Sequence, residues 1–311
     1  MSSSDSSPSG NTAKILVPLD NTKISEEVLR FADSWAQETG SQLLVMHSRT
    51  AAVQELVDQG ELIDPQEAFD ERVRNFPLHS ECEIHHRFGR PSEVILRELE
   101  EHQPRLVIMA AHSHTLLGRL FLGSTTDTVL HKGHTSVYVY KRASLDPKEI
   151  LVPVDLSAVS VDLLKEVDEI AMRRDGRLHL LHVMDLPEVH LVSSGGAFYS
   201  AITDSRLIRR QREEYQTFGM QRLKGLLGQV ELRAPVELHV DFGTPYLRIL
   251  GIAQQINAGL IAVGAHDHST LGRVLMGSNT DYIVHHFEGS VYVHKEPAAP
   301  EAEPMRLGSV E

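Results

Sequence analysis

Lys14-Ile-Leu-Val-Pro-Leu-Asp20 and Glu149-Ile-Leu-Val-Pro-Val-Asp155 share one seven-residue pattern, set 135 residues apart. Leu43–His47 and Leu178–His182 recur at the same spacing. Farther along the offset becomes 154, where Phe88-Gly89-Arg90-Pro91 aligns with Phe242-Gly243-Thr244-Pro245 and His112–Lys141 aligns with His266–Lys295. Within that last stretch Gly118/Gly272, Arg119/Arg273, Gly123/Gly277, Ser124/Ser278, Asp127/Asp281 and Tyr138/Tyr292 coincide. The chain is an internal duplication. The change of offset places nineteen extra residues of the second copy between its second and third strands.

Each copy alternates short apolar runs with helical spacing. In the first, Lys14–Pro18, Gln42–Ser48, Glu81–Phe88, Leu106–Ala110 and Ser136–Lys141 are predicted strands. Helices are predicted at Ser25–Thr39, Pro65–Asn75, Pro91–His102 and Ser124–Lys132, with Pro91 suited to an early helical position. The second copy repeats the strands at Glu149–Pro153, Leu178–Val183, Val236–Asp241, Leu260–Gly264 and Ser290–His294. Its extra segment holds Ser193-Ser194-Gly195-Gly196 and a long helix near Ser205–Leu227. Strands alternating with helices of this length mean parallel pairing, hence two tandem doubly wound α/β domains. They are expected at 13–142 and 148–295, joined by the linker Arg142–Lys148.

The remainder reads as tails. Residues 1–12 are mostly Ser, Gly, Pro and Asp, an expected disordered segment without signal-peptide character. Residues 296–311 form an expected flexible acidic tail. The net charge of −13 and the lack of a basic stripe argue against nucleic acid as a partner. No apolar run reaches the length of a membrane span. Cys82 is the single cysteine, so no intramolecular disulfide can form, which fits a reducing cytoplasm. Cys82 also lies on a predicted strand and suits the core better than nucleophilic work.

In such a sheet, ligands bind beyond the carboxyl ends of the strands, where the strand order switches. After the fourth strand the second copy has Gly264-x2-Asp267-x9-Gly277-Ser278, and the first has Ala110-x2-Ser113-x9-Gly123-Ser124. This loop resembles the Gly-x2-Gly-x9-Gly-Ser/Thr segment of the universal stress protein family, and the chain looks like one of its tandem, E-like members. The resemblance covers nearly all of 13–295. It implies an adenine nucleotide alpha hydrolase-like fold and a nucleotide site whose phosphates lie on this loop. It also implies that the residues ending strands one and two hold the nucleoside: Asp155 and Val183 in the second copy, Asp20 and Ser48 in the first. The physics agrees. Glycine lets backbone approach a phosphate closely, and the amides of Gly277, Ser278 and Asn279 would stand at a helix N-terminus, which favours anions.

The expected ligand is therefore ATP or another adenine nucleotide in the second domain. Asp267 replaces the family's second glycine, and a Mg²⁺ ion between it and the phosphates would offset their repulsion. The first domain, with Ala110 and Ser113 in place of glycines, is expected to be a degenerate copy that keeps Gly123 and Ser124. The resemblance also implies pairing of the two domains as a pseudo-dimer through Ser136–Lys141 and Ser290–His294, with a homodimer of whole chains as a further option. Nucleotide binding would shift Ala265–Met276 and any surface offered to a protein partner. A cytoplasmic stress-response or signalling role follows, and a non-enzyme is expected, since no Walker loop, nucleophile elbow or dinucleotide fingerprint occurs; slow ATP hydrolysis stays compatible with the sequence.

Other readings use the same residues. Ser124-x-x-Asp127 and Ser278-x-x-Asp281 resemble capping boxes, which stabilise a helix without any ligand. A scaffold of this fold that binds no nucleotide is the main alternative. The His-x-His pairs His112/His114 and His266/His268 suggest a metal binder using His266, Asp267 and His268. Val189, Leu191, Val192, Phe198 and Tyr199 of the insert 186–229 suggest a hydrophobic-ligand binder.

Overall fold

The computed structural model describes residues 12–20, 24–62, 64–111, 122–141, 148–184, 205–265 and 276–295. Its strands are β1 (Lys14–Leu19), β2 (Gln42–Arg49), β3 (Cys82–Phe88), β4 (Leu106–Ala110) and β5 (Ser136–Tyr140), then β6 (Glu149–Pro153), β7 (Arg177–Met184), β8 (Val236–Phe242), β9 (Leu260–Gly264) and β10 (Ser290–His294). The helices are α1 (Ile24–Thr39), α2 (Ala51–Asp58), α3 (Pro65–Asn75), α4 (Pro91–His102) and α5 (Ser124–Lys132) in the first copy. The second copy has α6 (Ala158–Arg173), α7 (Ser205–Leu227), α8 (Pro245–Gln255) and α9 (Ser278–His286).

All ten strands join one sheet, in the order β3-β2-β1-β4-β5-β10-β9-β6-β7-β8. Within each copy every pairing is parallel, and the copies meet where β5 and β10 pair antiparallel, with Tyr138 opposite Tyr292. Both strands are buried along their whole length, so each covers an edge the other would leave open. Two apolar layers flank the sheet: one holds Trp35 and Phe69 beneath α1 and α3, the other Val94 and Ile249 beneath α4 and α8.

Several local expectations meet their physical cause here. Gly89 and Gly243 have φ of 139° and 116°, which only glycine adopts readily, and each turns the chain from a strand into a proline-led helix. The longer connection in the second copy carries α7, whose Leu223 and Leu226 are buried. Gly219 lets that helix lie close to β7 and β8, since a Cβ there would meet Val240 at 2.8 Å and Met184 at 2.9 Å. The insert residues 189, 191, 192, 198 and 199, proposed to line a pocket, lie outside the described residues.

One correction concerns the helix starts. Ser124 and Ser278 are not caps: Gly123 and Gly277 hold the N-cap positions, and the amides of Asp127 and Asp281 bond to the glycine carbonyls. The serines sit one residue inside the helix, too far along for a capping box.

The duplication also repeats a staple that the linear pattern hides. The Asp33 carboxylate of α1 accepts the backbone N–H groups of His79 and Ser80 at 2.9–3.2 Å. Asp168 of α6 accepts those of Arg233 and Ala234 at 2.9 Å. Each aspartate fixes the chain as it enters the third strand of its copy. Burial alone would raise the Asp33 pKa, but the hydrogen bonds from His79 and Ser80 outweigh it and hold the carboxyl below its ordinary range. Its stability contribution is therefore present above the ordinary aspartate pKa and lost as pH falls below it. Asp168→Ala leaves two backbone donors and the Arg233 Nε without their acceptor and is expected to destabilise the fold by about 2–4 kcal/mol. Urea unfolding measures this, and a loss below about 1 kcal/mol would contradict the staple.

Candidate functional site

The strand order reverses direction between β1 and β4 in the first copy, and between β6 and β9 in the second. Asp155 follows β6, Val183 lies near the end of β7 and Gly264 ends β9. These three strands are adjacent and parallel, so the three residues share one edge of the sheet. Helix α9 starts above the same edge, tied down by a hydrogen bond from Thr280 Oγ1 to the Gly264 carbonyl at 3.3 Å. Thus Asp155, Val183 and Gly264 stand at the carboxyl ends of adjacent strands, and Gly277, Ser278 and Asn279 at the start of α9 beside them. Asp267 and the neighbouring histidines, His266 and His268, fall outside the described residues, as do His112, Ser113 and His114.

At the glycine step, Gly277 has φ −64° and ψ 151°, which any residue can adopt, and a Cβ built there meets nothing within 4 Å among the described residues. The turn therefore does not demand glycine. A side chain would only fill the open space over the first turn of α9. Gly277, Ser278 and Asn279 are all exposed. The amides of residues 278–280 belong to the first helical turn, where no carbonyl of the helix itself can satisfy them.

The strand-one aspartates have a structural task in both copies. Ser25 Oγ donates to Asp20 Oδ1 and Ser160 Oγ donates to Asp155 Oδ1, each at 2.8 Å. Asp155 Oδ1 also accepts from the Ser157 amide at 3.0 Å and its hydroxyl at 2.7 Å. The following residue, Leu156, has φ 68°, a left-handed conformation that costs a branched or bulky residue about 1–3 kcal/mol. The Asp155 hydrogen bonds hold the turn in this conformation at the crevice rim. The end of β7 is fixed in turn by buried His182, whose Nδ1 donates to the Val154 carbonyl at 3.1 Å.

The first copy has the same frame with differences in detail. Thr126 Oγ1 donates to the Ala110 carbonyl at 3.4 Å, and Gly123 caps α5 as Gly277 caps α9. Asp20 and Ser48 stand at the ends of β1 and β2, with the Arg72 guanidinium donating to the Asp20 carbonyl at 3.2 Å. His47 stacks on Phe69 with ring centres 4.6 Å apart. Burial holds the His47 pKa below its ordinary value, with the nearby cations adding to the effect. Cys82 is half-buried and burial pushes its thiol up to about 11, which leaves it a poor nucleophile near neutrality.

These features define a tandem, doubly wound α/β protein of the adenine nucleotide alpha hydrolase-like kind, with one switch in strand order per copy. The chain belongs to the universal stress protein family, whose profile matches residues 11–141 and 147–295. It is 28% identical over 148 residues to universal stress protein Sll1388 of Synechocystis, covering 47% of this chain and 96% of that one. It is 24% identical over 222 residues to universal stress protein E of Photorhabdus laumondii, covering 67% of this chain and 66% of the relative. A universal stress protein from Archaeoglobus fulgidus superposes with a TM-score of 0.60 at 20% identity, covering 91% of this chain and 98% of that one. That likeness shows the tandem fold.

Proposed function

We propose that this is a stress-response protein that binds an adenine nucleotide, ATP with Mg²⁺, in the crevice of its second copy. The observation that carries the reading is Gly277: the fold does not require glycine there, and its absent side chain keeps open the first turn of α9. A phosphate placed on that turn would meet unsatisfied amides and the positive end of the helix. Val183 and the rim held by Asp155 would contact the nucleoside. Asp267 next to a phosphate at ~4 Å would cost about 1–4 kcal/mol, which a bridging Mg²⁺ removes. The first copy, with Ala110 and Ser113 where the family has glycine, serves as the structural partner. Binding would reset Ala265–Met276 and so alter the surface shown to another protein. No helix among the described residues is long and apolar enough to cross a membrane.

One observation favours a scaffold that binds no nucleotide. The Asp155 carboxylate already accepts three hydrogen bonds within its own turn. Stoichiometry separates a single functional site from two. Displacement of a fluorescent ATP analogue by ATP is expected to give one site per chain. Two equal sites would refute the assignment of the first copy as degenerate.

A further inference from the structure

Helices α5 and α9 each carry an aspartate and a histidine four residues apart: Asp127 with His131, and Asp281 with His285. In each helix the histidine Nδ1 lies on the backbone carbonyl of its own aspartate, at 2.9 Å for His131 and 2.8 Å for His285. A carbonyl only accepts, so Nδ1 carries the hydrogen and Nε2 of the neutral ring presents a lone pair. That lone pair faces the other copy. His131 Nε2 lies 3.6 Å from Asp281 Oδ1, and His285 Nε2 lies 3.6 Å from Asp127 Oδ1. Both separations exceed a hydrogen bond, and a neutral Nε2 facing a carboxylate has no proton to share. Ligand atoms of Asp127, Asp281 and His285 all fall within 4.8 Å of one another.

Such spacing suits a cation lying between the groups. Ligands about 2.0–2.1 Å from a tetrahedral zinc stand about 3.4 Å from one another. The Nδ1–H to carbonyl bonds fix the tautomer and ring orientation, as outer-shell partners of metal-bound histidines do. Side-chain exposures of 36–44% leave a path from solvent. Two other histidine–carboxylate groups lack these properties. Glu98, between His85 and His102, is already bonded by the Arg87 guanidinium. Beside Glu237, both ring nitrogens of His179 are engaged, by Glu149 at 2.5 Å and His239 at 3.0 Å.

We propose that Asp127, Asp281 and His285, with His131 at the edge of the cluster beside Asp281, bind a divalent transition-metal ion, zinc in the first instance, that clips α5 of one copy to α9 of the other. The site is distinct from the nucleotide crevice and does not depend on it. The test is titration of chelator-treated full-length protein with Zn²⁺, and with Co²⁺ as a spectroscopic probe. One ion per chain is expected, with the intense visible absorption of tetrahedral Co²⁺ and a zinc-dependent rise in melting temperature. The H131Q/H285Q variant is expected to bind at least about a hundredfold more weakly, since even outer-shell partners contribute up to that much. Its metal-free melting temperature should match the wild type, because these side chains are half-exposed. Absence of binding up to millimolar Zn²⁺ would overturn the proposal and leave the cluster as a contact between the two helices with no ion in it. Undiminished binding by the variant would overturn it too, and would move the ion to the histidines of 112–114 and 266–268.

Discussion

Gly277→Val is expected to weaken ATP binding about a hundredfold while leaving the fold intact. The two halves of this result have separate causes. Valine accepts the backbone conformation at Gly277, and its Cβ meets no atom of the described residues within 4 Å. Replacing glycine at an N-cap changes helix stability by only a few tenths of a kcal/mol up to about 1 kcal/mol. The melting temperature should therefore shift little. On the binding side, the branched side chain would stand over the first-turn amides of α9. A hydrogen bond to a charged group contributes about 1.5–3 kcal/mol, and each 1.4 kcal/mol is about tenfold in affinity. Loss of one or two such contacts gives the expected factor. The matching change in the first copy, Gly123→Val, should leave affinity unchanged. Calorimetry with a parallel melting curve checks all three statements. An unchanged affinity in Gly277→Val would remove the phosphate from this turn.

Lys141→Ala is expected to destabilise the protein by about 2–4 kcal/mol, because each copy caps a helix of the other with a buried lysine. Lys141 is 2% exposed, and its Nζ donates to the carbonyls of Val284 at 2.7 Å and Phe287 at 2.5 Å, at the C-terminal end of α9. Lys295, also 2% exposed, donates to Leu130 at 2.5 Å and Gly133 at 2.6 Å, at the end of α5. Last-turn carbonyls have no partner within their helix, and a cation there also meets the negative end of the helix dipole. Burying an ammonium works in the opposite direction. Burial pulls each lysine pKa down to about 8. Removing the ammonium relieves that cost but strands the Val284 and Phe287 carbonyls, and the unmet acceptors are expected to outweigh the relief.

The pH dependence follows with a definite sign. Between about pH 8 and the ordinary lysine pKa of 10.5, the unfolded chain binds more protons than the folded one. Stability therefore rises with pH across that window, with a slope approaching about 1.4 kcal/mol per pH unit for each lysine. Burial raises the pKa of Tyr138 and Tyr292 in the same interface above the ordinary 10.0. Above that value the unfolded tyrosines ionise first, and stability falls again. Urea unfolding from pH 7 to 11 should show a maximum near pH 10 that is blunted in Lys141→Met. A monotonic fall from pH 7 would contradict lysine pKa values lowered by burial at this junction.

Much of this architecture was legible in the repeat. Val-Tyr-Val at 137–139 and 291–293 is apolar without alternation, as a strand buried on both faces must be, and the two segments do pair. The helix α2 left no trace in the pattern because none of its residues is buried. The serine caps were misplaced because Ser-x-x-Asp has the same spacing whether glycine or serine holds the N-cap, and only the backbone angles distinguish them. The Asp33 and Asp168 staples were hidden because their partners lie across the change of offset. Lys141 and Lys295 were visible as a duplicated pair, but nothing linear says that each crosses to the other copy. Chain order placed Asp155, Val183 and Gly264 at the carboxyl ends of adjacent strands and Gly277 at the start of α9. The phosphate-side residues after Ala265 could be assigned only through the resemblance.

Calorimetric titration of the purified chain with ATP, with and without Mg²⁺, tests the central claim most directly. Micromolar binding at one site per chain, weakened when Mg²⁺ is withheld, is the result expected if Asp267 and the α9 turn share the phosphates. Absence of heat and of protection against unfolding up to millimolar nucleotide would contradict it, and would make the paired halves a scaffold that keeps the form of the crevice without its ligand.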